Sequence, residues 1–186
     1  MLKAFRRLVW LAALVAVLAA CALWYAAPAS SYGLSYGTVP FAERASDMVR
    51  RMSAEMELSE ADVNNLLVAH LARNPEIRPG IVVTGAAFHL AGDRLLADVN
   101  VKVKERIPVG LHLEYRLDWQ SPDLIFHTEK AAVRSVGLPL SLFPDQRINL
   151  AGQMPKPLKI RDVRLQDGRL IVQFRKPTLQ DLQQLL

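Results

Sequence analysis

Arg94 to Lys104 reads RLLADVNVKVK, and Gly110 to Trp119 reads GLHLEYRLDW. In the first stretch Leu95, Ala97, Val99, Val101 and Val103 share one face, while Leu96, Asp98, Asn100, Lys102 and Lys104 share the other. In the second, Leu111, Leu113, Tyr115, Leu117 and Trp119 oppose His112, Glu114, Arg116 and Asp118. Successive side chains of a strand point to opposite sides, so each stretch predicts an antiparallel strand with one dry and one wet face. A further strand is expected through Leu124, Ile125 and Phe126 toward Val133, with a phase slip around Ala131-Ala132 that marks a bulge.

Working outward, a weak internal repeat adds two hairpins. Ala87 to Leu95 (AFHLAGDRL) resembles Asp162 to Leu170 (DVRLQDGRL), and both read as strand, tight Gly/Asp turn, Arg-Leu, strand. Between them, Val136-Gly137-Leu138-Pro139-Leu140, Phe143-Pro144, Pro155 and Pro157 break the pattern, so a short helix or irregular crossover is expected over Leu140 to Leu150. Upstream the period changes to three and four. Phe41, Ala45, Met48, Met52 and Met56 form one stripe after Pro40, a residue suited to a first helical turn. Core packing explains that Met stripe better than a copper site, which needs several thioethers converging in space. Ser59-Glu60-Ala61-Asp62 reads as a capping box, followed by the stripe Val63, Leu66, Leu67 and Leu71 with His70 at its margin; Asn74-Pro75 ends the helix. Asn64 and Asn65 are poor mid-helix residues, so at least one is expected to have a tertiary hydrogen bond. The expected class is α+β: an N-terminal transmembrane helix, then one or two helices packed on a curved antiparallel sheet of five to seven strands.

The N-terminus supplies the membrane expectation. Leu8 to Ala29 (LVWLAALVAVLAACALWYAAPA) is uncharged over 22 residues, about 33 Å as a helix against a hydrocarbon core of about 30 Å. Trp10, Trp24 and Tyr25 sit near its ends, where amphipathic rings favour the interface. Lys3, Arg6 and Arg7 precede it, so residues 1–7 are expected in the cytoplasm and everything beyond the span outside. Leu18-Ala19-Ala20-Cys21 also resembles a lipobox, which makes Cys21 a candidate lipidation site and a diacylated lipoprotein the competing anchor. The expected division is 1–7 cytoplasmic, 8–29 membrane helix or lipoprotein signal, 30–39 linker, and 40–186 extracytoplasmic domain.

Composition excludes several function classes. Of 23 Lys and Arg, three precede residue 38 with no acid among them; beyond that point charge is nearly balanced against 18 Asp and Glu, which argues against a nucleic-acid partner. Cys21 stands alone, so neither a disulfide framework nor a Cys-cluster zinc site is expected. HExxH, GxSxG and glycine-rich phosphate loops are absent, so no enzyme activity and no cofactor are expected. His112 with Glu114, and His127 with Glu129, share strand faces, but a solvated face accounts for them without a metal. From Asp145 to Lys176 basic residues dominate, and Lys159, Arg161, Arg164 and Arg169 are candidate contacts to an anionic surface.

The pattern as a whole resembles the YpmS family of membrane-anchored proteins of Gram-positive bacteria. The residues that carry it are the N-terminal apolar segment, Leu58 to Leu67, Val136 to Leu140 and Val163 to Leu170. The resemblance implies a single-pass protein with an extracytoplasmic domain, and it implies no activity. Two roles stay open. If the sheet curls and is partly covered, Leu95, Val99, Val101, Leu111, Leu113, Tyr115 and Leu117 would line an apolar groove for a lipid or other apolar ligand, as in tubular lipid-carrier folds. If the face is fully covered, the domain is a protein-interaction or structural module that docks an envelope protein through a sheet edge or its polar face.

Overall fold

The computed structural model describes residues 2–41, 43–44, 53–150 and 159–175, and their side chains from Trp10 onward. It is an α+β fold in which helix packs on a strongly curled antiparallel sheet. A 25-residue helix, α1 (Leu2–Ala26), comes first, and a 14-residue helix, α2 (Glu60–Arg73), follows β1 (Glu55–Leu58). The larger sheet has seven strands: β2 (Glu76–Arg78), β3 (Ile81–Ala91), β4 (Arg94–Val103), β5 (Ile107–Gln120), β6 (Asp123–Val133) and β7 (Val136–Gly137) in sequence order, with β8 (Gln146–Asn149) also paired to β6. β1, β10 (Arg169–Phe174) and β9 (Ile160–Gln166) form a second, three-stranded sheet in that order.

The alternation in β4 and β5 translates directly into burial. Leu95, Ala97, Val99 and Val101 pair with Tyr115, Leu113, Leu111 and Val109, and Leu95 and Val101 are almost completely enclosed. Both expected hairpins form, with Gly92 in one turn and Asp167-Gly168 in the other at positive φ. The phase slip in β6 falls at Glu129, two residues before the expected Ala131: Tyr115 faces Thr128 and Glu114 faces Lys130. The crossover over Leu140 to Leu150 resolves into a short 3-10 turn, Leu140–Leu142, and strand β8.

The Met stripe is corrected at its end. Pro40 to Arg44 begins a helical turn, positions 45–52 lie outside the described residues, and Met56 is a strand residue, 2% exposed in β1. The physical reason is that a spacing of four is also an even spacing, so Met52 and Met56 fit a strand face as well as a helix face. The register with β10 decides the matter: Met56 pairs with Val172 and Leu58 with Leu170 in the core, while Glu55 and Glu57 meet Arg164 and Arg169 on the wet side.

α2 is fixed by its sequence at both ends. The Ser59 side chain caps the Asp62 amide while Asp62 Oδ2 accepts from the Ser59 amide at 2.9 Å, and Arg44 Nη2 reaches the same oxygen at 2.8 Å. Burial pushes the Asp62 carboxyl up, but Ser59 and Arg44 outweigh it and hold the group below its ordinary value. The Asn74 amide donates to His70 O where Pro75 stops the helix.

Candidate functional site

Three features stand out around the sheet. The first is the strap at residues 28–37, which lies against the domain. In strand register Gly85, Asn100 and Gly110 form one row across β3, β4 and β5. The strap crosses that row: Pro28 lies over Gly110, Ser30 O accepts from Asn100 Nδ2 at 2.8 Å, and Tyr32 O sits over Gly85. Two glycines leave room for another backbone, and Asn100, 8% exposed, offers the donor between them. Tyr32 Oη donates to Asp98, and the Gly37 amide donates to Asn65 Oδ1 on α2. The segment expected as a 30–39 linker therefore runs over the polar face, round the edge of β3, and on to α2, where Leu34, Val39 and Phe41 pack on the core.

That route closes an exposed edge. Beyond β2, the outer edge of β3 presents the amides of Ala86, Phe88 and Leu90. They donate to Gly33 O, Asn64 Oδ1 and Glu60 Oε2 respectively, at 3.3, 2.9 and 2.8 Å. Asn64 and Asn65 thus both make tertiary hydrogen bonds, one to β3 and one to the strap. Glu60 is held below the ordinary carboxylate range, first by the Leu90 amide and then by His89. An uncapped edge invites pairing with another chain; on β3 these three amides are already satisfied within the chain.

The second feature is an apolar cleft of about 50 Å³. Val63, Leu66, Leu67 and His70 line it from α2, Leu117 from β5, Leu124 and Phe126 from β6, Ile148 and Leu150 from β8 and just beyond, and Leu170 from β10. Of the seven candidate groove residues, Leu117 lines this cleft. Leu95, Val99, Val101, Leu111 and Leu113 are buried in the closed core, and Tyr115 is half-buried, edge-on to Phe126 at 6.1 Å. Burial pushes the Tyr115 phenol up to about 12. Sequence periodicity had marked the α2 stripe; Ile148, Leu150 and Leu170 carried no signal because only the meeting of β6, β8 and β10 brings them together. α2 is tied to β3 by polar side chains along one edge and meets this cleft through apolar side chains and His70 along the other.

The polar face is internally paired. Glu114 lies between Lys130 and Arg94, Glu129 between Arg94 and Arg116, and Lys130 foremost holds the Glu114 carboxyl below its ordinary value. His112 meets Asp98, His127 meets Asp145 at 2.7 Å, and His89 meets Glu60. Among the described residues no group of three or more His, Cys, Asp or Glu has the arrangement to hold a metal. Of the candidate anionic-surface contacts, Arg164 and Arg169 pair with Glu55 and Glu57, Lys159 is also engaged, and Arg161 is exposed.

The third feature is α1 itself. Every side chain from Trp10 to Tyr25 is exposed, Cys21 included, although none of these residues is charged. Among the described residues no helix is long and apolar enough to cross a membrane. No family model, curated protein or solved structure matches the chain. The YpmS resemblance therefore rests on the quoted residues alone.

Proposed function

We propose that the protein is a membrane-anchored, non-catalytic extracytoplasmic domain that takes the end of a lipid acyl chain in the cleft between α2 and the sheet. The observation that carries this reading is the cleft lining, nine apolar side chains and His70, in a chain whose first helix is uncharged and exposed on every side from Trp10 to Tyr25. A helix without a polar face needs an apolar surround, and outside a protein core that surround is lipid. The side chains described in α1, Trp10 to Ala26, account for about 25 Å of rise, and the uncharged sequence run begins two residues earlier, at Leu8. Attachment through Cys21 would give the same topology.

The cleft sets the scale of the ligand. An apolar cavity of about 150 Å³ holds one benzene, so the present volume suits the last carbons of a chain. Each buried methylene contributes about 0.8 kcal/mol, so useful affinity requires deeper entry. Deeper entry requires the cleft-lining side of α2 to move outward while the Asn64 and Glu60 bonds to β3 hold. The test is photolabelling of the full chain in bilayer discs that contain a lipid with a photoreactive acyl terminus. Labels on residues 63–70 or 148–150, lost in Leu67→Trp and increased in Leu117→Ala, support the proposal. Labelling confined to α1 overturns it.

A further inference from the structure

The turn between β6 and β7 grips the end of α1. Tyr25 Oη lies 2.7 Å from Ser135 Oγ, and the Arg134 guanidinium lies 5.2 Å from the Tyr25 ring and 5.8 Å from that of Trp24. Arg134 holds φ at +52°, a conformation that side chains other than glycine rarely adopt. Just past this turn come Val136, Leu140 and Leu142, 52%, 44% and 50% exposed. Outside α1, the described large apolar side chains with comparable exposure are these three, Tyr36 and Ile77. From Ala131 to Pro144 the sequence has one charged residue, Arg134.

We propose that Val136–Leu142 is a second membrane contact, seated at the boundary of headgroups and acyl chains beside α1. This rests on the membrane reading of α1. The occupant is a bilayer surface because the turn that leads into the patch holds the end of the helix, and the sequence from Ala131 to Pro144 carries no carboxylate to oppose anionic headgroups. Trp24 and Tyr25 are of the residue types that settle at the interface, and Arg134, stacked on both, lies at the level where lipid phosphates are met. A helix end and a loop in contact with one surface define an orientation. The domain is then held at a set tilt, and the far end of β6 lies about 33 Å along the strand from this turn, at about 3.3 Å per residue.

The experiment uses full-length chain in phosphatidylglycerol vesicles, in a Cys21→Ala background, with an environment-sensitive probe at Leu142→Cys or at Ser121→Cys beyond the far end of β6. Flotation of the chain with the vesicles reports on the anchor separately. Given flotation, the probe at 142 should be blue-shifted and quenched by at least half with spin-labelled lipid, and the probe at 121 should not. Adding Arg134→Ala should weaken the quenching at 142 while the domain stays folded. A floating protein whose probe at 142 reports water overturns the inference and leaves the anchor standing. A probe at 142 shielded by a second copy, insensitive to spin-labelled lipid, also overturns it. Failure to float overturns α1 as the anchor and, with it, this inference.

Discussion

Gly85→Ala tests the strap directly. A methyl group at this position would lie 1.8 Å from Tyr32 O and 2.3 Å from the Tyr32 carbonyl carbon. Both are backbone atoms and cannot rotate aside, so the strap must lift from the row that Gly85 forms with Asn100 and Gly110. Lifting it breaks the bonds from Ala86 N to Gly33 O, from Asn100 Nδ2 to Ser30 O, and from Tyr32 Oη to Asp98. At about 1 kcal/mol net for each, the loss is about 2–3 kcal/mol. For a chain of this size that corresponds to roughly 5–10 °C in Tm, from about 2–4 °C per kcal/mol. The assay is a thermal melt combined with hydrogen exchange at Ala86 and limited proteolysis between Pro28 and Gly37. Gly137→Ala is the control, because a methyl group there meets nothing within 4 Å. If Gly85→Ala melts with the parent and its Ala86 amide stays protected, the strap does not bind as described.

Two further substitutions probe the core by pH. Asp62→Asn removes the carboxylate shared by Ser59 and Arg44 and should cost about 1–2 kcal/mol at neutral pH, measured by urea unfolding. Because the folded group titrates below its ordinary value, its stabilisation is present above the unfolded pKa of about 3.9 and lost as pH falls through the lower folded value; parent and variant should converge there, and a gap unchanged into acid would refute the assignment. Tyr115 shifts the other way: with the folded phenol at about 12, the parent should lose stability as pH rises from about 10 toward 12, while Tyr115→Phe stays flatter in alkaline melts.

The sequence revealed most where one local rule acted alone. Alternation placed Leu95, Val99, Val101, Leu111 and Leu113 on the buried face, and the Ser59–Asp62 pair announced the start of α2. It was ambiguous where two rules coincide, as at Met56, whose spacing from Met52 suits both a helix and a strand. It was silent where the deciding contact is distant. The turn from β4 to β5 places Lys104 and Glu105 at positive φ without the Asn-Gly pair that such a turn favours, so its geometry had no local marker. Residues 28–37 look like a linker because they are small and uncharged, and those same properties let them lie flat on Gly85 and Gly110. Nothing near position 30 points to Asn100, 70 residues on. Of the cleft, the α2 side and Leu117 were readable, whereas Ile148, Leu150 and Leu170 join them only through tertiary pairing.

The path of the strap has a mechanical consequence. It crosses three strands before it turns past the rim of β3, so tension arriving from α1 loads those strands side by side. Sideways drag on α1 meets the strap's bonds to Asn100, Asp98 and Ala86, so the load is shared by more than one strand. A molecule fastened in this way turns together with its leading helix, like a blade fixed to its shaft.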